Sequence, residues 1–256
     1  MDCNIFLTVR TASTRLPKKA LLEIEGKPLI RILIEHIMTT ENIGRIIICT
    51  TTEKSDDELV QYLERLGFEV FRGDTLDILN RLFLAAQKYN ISQFVVVEGD
   101  DVFCDPLLIE KTCHELSNTD YEFITWENLP FGVSPLGIKT DKLKILVNNK
   151  VTKNTDTGWA KSVIESGFFK IEKMQPSDVK LRRPEIRLTV DYSEDFELVK
   201  KIYIKLPEKF SLSDIVEIWD NNPDWKRINE NVKEKYEKNL NEKMTKIVIK
   251  NSEVEK

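Results

Sequence analysis

Short apolar runs typical of β-strands alternate with helical patterns through the first 120 residues of this 256-residue chain. The predicted strands are 4–9, 45–51, 69–71 and 93–98. The predicted helices are 28–39, 55–67, 76–89 and 105–117. The run at 45–51 is β-branched without polar alternation, which is typical of a strand buried on both faces. The alternation of strands and helices predicts an α/β fold with a mostly parallel central sheet and helices on both faces.

Several residues mark the ends of the predicted helices. Pro28 suits a first helical turn, and Asp105, which precedes a proline, suits an N-cap. Ser55 and Glu58 have the spacing of a capping box, and Gly67 is placed to end the second helix. The sequence therefore predicts helix boundaries as well as helix positions.

The pattern weakens after residue 120. Residues 122–126 predict one more strand, but 127–175 mix proline, glycine, asparagine and charged residues without a clean period. Order returns with a predicted strand at 186–190 and predicted helices at 194–204 and 211–220. The last thirty residues are rich in Lys, Glu and Asn, which predicts a solvated helix or a frayed tail. The chain is accordingly divided into segments 1–120, 121–185, 186–224 and 225–256.

The overall charge bears on which partners the chain can have. A net charge of −5 at pH 7 argues against a general binder of nucleic acid or of a membrane surface, so we expect neither partner. No apolar stretch approaches the roughly 20 residues that cross a bilayer. The first residues also lack the apolar segment of a signal peptide. Basic residues near the start of the chain are therefore a local feature.

The cysteines give a consistent picture. Cys3, Cys49, Cys104 and Cys113 form no C-x-x-C pair. Cys113 stands beside His114, but two adjacent residues do not make a metal site, so no structural zinc is expected. Together with the missing signal-peptide pattern, this predicts reduced thiols and a cytoplasmic location.

Polar residues follow the predicted strands at the points where the strands end. Basic and hydroxyl residues follow the first strand, namely Arg10, Ser13, Arg15 and Lys19. The later strands lead into Thr50 and Thr51, Arg72, Asp100, and Asp191. Because ligands of open parallel sheets bind at the carboxyl ends of the strands, we expect these side chains to meet in one cleft.

This combination of groups favours a nucleoside triphosphate bound with a divalent metal. A triphosphate carries about four negative charges, and guanidinium, ammonium and backbone N–H groups are its usual partners. Mg²⁺ binds one or two carboxylates together with phosphate oxygens. The basic loop is therefore predicted to bind phosphate, and Asp100 and Asp191 are predicted to bind Mg²⁺.

Each of these features also has an ordinary structural explanation. A loop rich in Lys and Arg is usually just solvated, and acidic residues after a strand are commonly helix N-caps or turn residues. Threonines such as Thr50 and Thr51 can simply end a strand. The functional interpretation rests on all of the features falling at the same edge of one predicted sheet.

The stretch "VRTASTRLPKKAL", residues 9–21, resembles the signature A-R-x-x-S-x-R-L-P-G-K-x-L of the cytidylyltransferases that activate sugar acids. That family includes the 3-deoxy-manno-octulosonate and acylneuraminate enzymes and the spore-coat polysaccharide type, which this chain resembles most. Further similar stretches are 26–30, 51–89, 97–111 and 186–203. The resemblance implies a Rossmann-like nucleotidyltransferase fold with an irregular insertion.

The resemblance also implies roles for individual residues. Phosphates of CTP would be held by Arg10, Ser13, Arg15 and Lys19. Of these, Arg15 and Lys19 would be catalytic, because they offset the charge that develops on the leaving pyrophosphate. Asp100 and Asp191 would bind Mg²⁺ as the cofactor. The base, ribose or second substrate would be contacted by Thr50, Thr51, Arg72 and Arg81. The product would be a CMP-linked precursor of surface polysaccharide.

The segments take their expected roles from the same resemblance. Segment 1–120 would be the nucleotide-binding half, 121–185 the acceptor-binding and dimerisation insertion, 186–224 the return to the core with a metal-binding strand end, and 225–256 a C-terminal helix or tail. A homodimer is therefore expected. The insertion lacks the E-H-V-T-P stretch of the spore-coat type, so the acceptor stays open between a sugar acid and a phosphorylated small molecule. Candidates to line its pocket are Trp126, Phe131, Trp159 and Lys161, with core packing as the alternative for each aromatic residue.

Two positions depart from the family signature in the nucleotide-binding half. Lys18 stands where the family has glycine. Lys18 is strained if the loop needs a positive φ there, and otherwise adds a phosphate contact. Val102 stands in place of a proline, and Asp101 adds a carboxylate without an assigned role.

Two other functions remain open at this point. A nucleotide-sugar-dependent glycosyltransferase also has a metal site after a strand of an α/β sheet. Such enzymes usually use D-x-D, which "EGDD" at 98–101 only approximates. A non-catalytic nucleotide-binding relative is the second alternative. It is disfavoured because Lys19, Asp100 and Asp191 are all present.

Overall fold

The computed structural model describes residues 3–250, so residues 251–256 of the predicted tail lie outside the described residues. Its strands are β1 Cys3–Thr8, β2 Glu23–Ile24, β3 Lys27–Pro28, β4 Ile43–Thr51, β5 Glu69–Gly73, β6 Gln93–Glu98, β7 Phe123–Trp126, β8 Leu136–Lys139 and β9 Ile171–Met174. Its α-helices are α1 Leu29–Ile37, α2 Asp57–Arg65, α3 Ile78–Tyr89, α4 Pro106–Asn118, α5 Thr140–Asn149, α6 Trp159–Glu165, α7 Ser193–Tyr203, α8 Leu212–Asp220 and α9 Val232–Lys243.

A seven-stranded sheet forms the centre of the described chain, in the order β5-β4-β1-β6-β8-β7-β9. The pairs β1–β4, β1–β6, β4–β5 and β7–β9 are parallel. Strand β8 is antiparallel to both of its neighbours, β6 and β7. The prediction of a mostly parallel sheet is confirmed.

Helices cover both faces of the sheet because successive strand residues point to opposite sides. On one face Phe6 of β1 packs in a cluster with residues of α3, α5 and α6, including Leu82 and Leu143. On the other face Ile5 and Leu7 pack in a cluster with residues of α1, α2 and α4. The sheet is therefore buried between two helical layers, as the apolar strand runs predict.

The predicted helix ends at Asp105 and Gly67 are confirmed, whereas Pro28 stands just before α1, which begins at Leu29. Asp105 caps α4 by accepting from the Leu108 backbone N–H at 3.0 Å. Gly67 follows α2 with a φ of +86°, as the predicted C-cap requires. The Ser55–Glu58 capping box is wrong, because α2 begins at Asp57 after a 3₁₀ turn and has no side-chain cap.

The predicted strand at 186–190 is also wrong, although the chain is extended there. Arg187 forms only an isolated bridge with Phe131. The backbone N–H of Leu188 donates to Phe131 at 2.7 Å, and that of Val190 donates to Asp100 at 2.9 Å. Gly132 permits this approach, because a Cβ at that position would lie 2.3 Å from the Thr189 nitrogen. Hydrogen bonds to loop residues therefore take the place of pairing with a neighbouring strand.

Alternation along this extended segment separates core from cleft. Ile186, Leu188 and Val190 are buried in a cluster that also holds residues of α7 and α8. Thr189 and Asp191, which alternate with them, line a cleft on the opposite side. The alternation of a β-strand is therefore present even without a strand partner.

Segment 121–185 contains more regular structure than its pattern indicates. It contributes β7, β8 and β9 to the same sheet as β1, and α5 and α6 to one face. After α9, the chain returns to this segment, where the N–H of Val151 donates to Val248 at 2.7 Å. The predicted solvated C-terminal helix is thus present as α9. The residues that follow it, up to residue 250, form backbone hydrogen bonds with segment 121–185 and are not frayed.

A disulfide joins Cys3 to Cys113, so the expectation of reduced thiols is wrong for this pair. The start of β1 and helix α4 pack on the same face of the sheet, which brings the two Cα atoms to 5.8 Å. A separation of 110 residues hides this proximity in the sequence. Cys49 and Cys104 are free and buried. Among the described residues, no helix is long and apolar enough to span a membrane.

We expect thiol titration of the denatured, unreduced protein to detect two thiols, from Cys49 and Cys104, and to detect four after reduction. Reduction, or the Cys3→Ser substitution, should lower the free energy of unfolding by about 2–4 kcal/mol, because a long loop in the unfolded chain is no longer closed. As a control, the stability of Cys3→Ser should not respond to reductant. Four thiols before reduction would contradict the pairing.

Candidate active site

A cleft of about 710 Å³ opens at the carboxyl ends of β1 and β6. It brings together most of the residues predicted to act there, namely Arg10, Ser13, Arg15, Lys19, Arg81, Asp100 and Asp191. Trp126, Phe131, Trp159 and Lys161 also line the cleft. Trp126 and Trp159 are also buried in the core, and the contact of these residues with an acceptor stays a prediction.

The loop after β1 is held by Asp56, a residue that the sequence reading did not single out. One Asp56 carboxylate oxygen accepts from the backbone N–H and the hydroxyl of Thr11, each at 2.7 Å. The other oxygen accepts from the hydroxyls of Thr50 and Thr51. Burial would raise the pKa of Asp56, but the hydrogen bonds from Thr51 and Thr11 outweigh it and hold the pKa below its usual value.

Thr50, Thr51 and Arg72 do not line the cleft. The two threonine hydroxyls are engaged by Asp56. The Arg72 guanidinium donates to Asp57 at 2.7 Å and to the Thr51 carbonyl at 2.9 Å. Arg72 holds the segment that follows β4, and the predicted contact of these three residues with a nucleotide stays a prediction without support from this geometry.

Lys18 adopts the left-handed conformation, with φ +54° and ψ +27°. Glycine adopts this conformation without strain because it has no Cβ, whereas lysine is strained there. The Lys18 ammonium lies 2.6 Å from the Glu58 carboxylate, and both side chains are largely exposed. Of the two possibilities in the sequence, backbone strain is therefore the one observed, and Lys18 does not reach the cleft.

Lys18→Gly is expected to raise the free energy of unfolding by about 1 kcal/mol, because it removes the left-handed strain of a residue with a Cβ. The melting temperature should rise by about 2–4 °C in a protein of this size. Lys18→Ala is the matched control, since it loses the exposed Glu58 ion pair but keeps the strain. Equal shifts in the two variants, measured by thermal unfolding, would assign the effect to something other than the backbone.

Lys19 lies between the two predicted metal ligands. Its ammonium is 2.6 Å from an Asp100 oxygen and 2.9 Å from an Asp191 oxygen. Burial would lower the pKa of Lys19, but the charges of Asp100 and Asp191 outweigh it and raise the pKa above its usual value. The ammonium is therefore a fixed positive charge between two carboxylates.

Asp191 is surrounded by cations although it is only 3% exposed. Its carboxylate pairs with Lys19 and Arg15 on one oxygen and with Arg187 at 3.1 Å on the other. Burial would raise its pKa, but Lys19 and Arg15 hold the pKa below its usual value. The group is thus kept as a carboxylate.

A second carboxylate, Asp195, orders the backbone at Asp191. It accepts from the backbone N–H groups of Asp191 and Tyr192 at 3.1 Å, and it pairs with Arg187 at 2.9 Å. Asp195 and Arg187 therefore set the position of Asp191. In sequence they look like ordinary residues of a helix start and an extended run.

Two further acids lie beside Asp100. Trp159 donates its indole N–H to Glu98 at 2.7 Å. Burial, followed by the charge of Asp100, raises the pKa of Glu98 to about 7. The same two causes raise the pKa of Asp101 well above its usual value. Asp101 lines the cleft wall and has a side-chain hydrogen bond with Thr189.

Asp156, from the aperiodic part of the sequence, joins two of the predicted arginines. Its carboxylate pairs with Arg10 and, at 3.4 Å, with Arg81. Burial raises the pKa of Asp156 and lowers that of Arg81. Two nitrogens of the buried Arg81 guanidinium, Nε and Nη1, have no hydrogen-bond partner. Asp156 thus joins Arg10 and Arg81 at the wall of the cleft.

The donor set at Asp100 and Asp191 suits a hard cation. Within residues 3–250 no group of three or more His, Cys, Asp or Glu side chains could hold a metal by itself. Both carboxylates contact the same ammonium, so they face one another across a short gap. Mg²⁺ commonly takes only one or two carboxylates and completes its shell with phosphate oxygens and water. The residues present therefore fit a metal that arrives with a phosphate ligand.

Known proteins are similar to this chain along most of its length. The cytidylyltransferase family profile matches residues 5–252. An uncharacterized protein of Methanocaldococcus jannaschii is 30% identical over 90% of this chain and 95% of its own length. The spore coat polysaccharide biosynthesis protein SpsF of Bacillus subtilis is 25% identical over 87% of this chain and 96% of its own.

A solved structure extends the likeness to three dimensions. A cytidylyltransferase from Leptospira borgpetersenii serovar Hardjo-bovis superimposes with a TM-score of 0.77 at 25% identity. The match covers 88% of this chain and 96% of that one. The Rossmann-like nucleotidyltransferase fold expected from the loop signature is therefore present. On the strength of the profile match across nearly its whole length, the chain belongs to the cytidylyltransferase family and is a nucleotidyltransferase.

Proposed function

We propose that this protein transfers CMP from CTP to an oxygen of a small acceptor, with release of pyrophosphate, in a reaction that depends on Mg²⁺. The observation that carries the proposal is the Lys19 ammonium between Asp100 and Asp191, beside Arg15 in one cleft. A triphosphate needs such cations, and its metal needs such carboxylates. The family of the chain supplies the choice of cytosine.

The residues of the cleft have separate roles in the proposed reaction. The acceptor oxygen forms a bond to the α-phosphorus while the bond to the β-phosphate oxygen breaks, and the acceptor proton is lost to water. Lys19 and Arg15 offset the charge that develops on the leaving pyrophosphate. Arg10 and Ser13 bind the phosphates and keep the α-phosphorus in place for attack. Asp100 and Asp191 would hold a divalent cation, which would polarise the α-phosphate when bound.

The acceptor is proposed to be a precursor of surface polysaccharide. SpsF is named for spore coat polysaccharide biosynthesis, and it aligns with most of this chain. A sugar acid and a phosphorylated small molecule both offer an oxygen nucleophile. Lys161 and Lys243 line the cleft, and either anionic acceptor would be attracted to them.

Pyrophosphate release with CTP, Mg²⁺ and a panel of acceptors tests the proposal. The panel contains octulosonic and nonulosonic acids and sugar, polyol and amino-acid phosphates. We expect release with one acceptor class, a product that retains CMP, and no turnover after chelation of Mg²⁺. Parallel reactions with UTP, ATP and GTP test the base. Transfer from a finished nucleotide sugar, or an absence of release with every acceptor, would contradict the proposal.

Two properties accompany the proposal and need separate measurements. We propose a homodimer, which light scattering after size-exclusion chromatography measures directly. We also propose a cytoplasmic location, which fractionation of the source cells measures directly; a Cys3–Cys113 disulfide that persists in those cells would argue against it, since a stable disulfide is unusual in a reducing compartment.

A further inference from the structure

Helix α9 forms one wall of the cleft although it is mostly polar and exposed. Among its residues only Val232 is fully buried, and Tyr236, Asn239 and Leu240 are half-buried. The side of α9 that faces inward nevertheless carries Tyr236, Asn239, Leu240 and Lys243, all of which line the cleft. The inner face of α9 therefore contributes mainly to the cleft and little to the core.

Tyr236 presents its ring to two guanidinium groups. The ring centroid lies 5.9 Å from the Arg15 guanidinium carbon and 4.7 Å from that of Arg187. Phe131 packs against the same ring at 5.3 Å between centroids. Burial, together with the charge of Glu98, raises the pKa of the Tyr236 phenol, which keeps the ring neutral. A neutral aromatic face attracts both cations.

Asn239, one turn further along α9, reaches the same arginine. Its side-chain oxygen accepts from Arg15 at 3.4 Å. Tyr192 stacks on the Arg15 guanidinium at 5.4 Å, and Asp191 pairs with it. Arg15 is therefore held from α9 on one side and from the start of α7 on the other.

Contacts at both ends fix α9 across the cleft. Before the helix, Asn229 donates to the Arg187 carbonyl at 3.1 Å and to Asp195 at 3.0 Å. After the helix, the Ser162 hydroxyl donates to the Thr245 carbonyl at 2.9 Å. The N–H of Lys250 then donates to Asn149 at 2.8 Å. Hydrogen bonds thus anchor α9 at both of its ends, one on each side of the cleft.

We infer that Tyr236 and Asn239 are positioning residues for CTP: they hold Arg15 extended toward the place of the β- and γ-phosphates. The inference rests on the proposed function, which puts a triphosphate at Arg15. Without the ring of Tyr236 and the amide of Asn239, Arg15 keeps its contacts with Asp191 and Tyr192 but loses the support of α9, so its guanidinium is less firmly positioned for the phosphates. The C-terminal helix therefore completes the nucleotide site within one chain.

Calorimetric binding of CTP and of CMP to the full chain in the presence of Mg²⁺ tests this role. Tyr236→Leu keeps apolar bulk but removes the ring, and we expect its Kd for CTP to rise about tenfold. The Kd for CMP should change less than about twofold, because CMP lacks the phosphates that Arg15 is proposed to contact. Tyr236→Phe should keep CTP affinity within about threefold of the wild type, since its ring still faces both guanidiniums.

Two more variants on α9 sharpen the comparison. Asn239→Ala should weaken CTP about threefold, again without an effect on CMP. Lys238→Ala, on the exposed side of the same helix, should leave both affinities unchanged. Equal losses for CTP and CMP, or no loss for CTP in either Tyr236→Leu or Asn239→Ala, would overturn the inference. A wild-type chain that binds no CTP would instead overturn the proposed function.

Discussion

Asp191→Asn is expected to lower kcat/KM for CTP about a thousandfold while the protein stays folded. The carboxylate that pairs with Lys19 and Arg15 is lost, and with it one of the two groups proposed to bind Mg²⁺. The backbone at this position remains held, because Asp195 accepts from the N–H groups of residues 191 and 192. Arg187 also keeps its ion pair with Asp195.

Steady-state release of pyrophosphate measures the loss, and thermal unfolding confirms that the fold is retained. Asp120→Asn is the matched control, since that carboxylate pairs with Lys170 on the surface and the side chain is 79% exposed. Titration with Mn²⁺ gives a second readout, in which Asp191→Asn should bind more weakly than the control. Activity of Asp191→Asn within tenfold of the wild type would remove Asp191 from the proposed metal site.

Lys19→Met is the second variant with a large expected effect. Methionine keeps much of the side-chain length but removes the charge that would offset the leaving pyrophosphate, so kcat/KM for CTP should fall about a thousandfold. In the absence of nucleotide the same variant should bind Mn²⁺ more tightly, by about tenfold, because no ammonium competes for Asp100 and Asp191. The two effects have opposite signs, which general unfolding would not produce.

Lys18→Ala controls for charge at the adjacent position. Lys18 pairs with Glu58 and does not line the cleft, so its loss should change neither the kinetics nor the binding of Mn²⁺. Calorimetry or electron paramagnetic resonance follows the metal. Weaker Mn²⁺ binding in Lys19→Met would show that the ammonium does not compete with a cation at the two carboxylates.

Local periodicity in the sequence predicted the parts of this fold that depend on local forces. Strands β1, β4, β5 and β6 and helices α1 to α4 lie where the apolar patterns place them. Arg15, Lys19 and Asp100 meet in one cleft because strand ends share an edge of the sheet, which is a general property of such sheets. This much requires no knowledge of distant contacts. Asp191 joins them from an extended segment whose backbone hydrogen-bonds to loops.

Residues whose role depends on distant contacts were not predicted. Asp156 belongs to an aperiodic stretch, and its carboxylate meets Arg81 from 75 positions away. Tyr236 lies in a polar tail that reads as solvated, because nothing in its own pattern reveals that Arg15 and Arg187 face it. The strand at 186–190 was wrongly predicted because an extended segment has the same sequence pattern whether its backbone hydrogen bonds reach a strand or a loop.

Because inward and outward side chains alternate at 186–191, this segment tolerates changes of side chain better than changes of length. Removing one residue would exchange the two sides, so that a carboxylate would face α7 and α8 while an aliphatic side chain entered the cleft. Substitutions that keep size and polarity can be absorbed there, but insertions and deletions cannot. Evolution along this stretch is therefore expected to proceed by replacement of side chains, with changes in chain length confined to the exposed turns before Ile186.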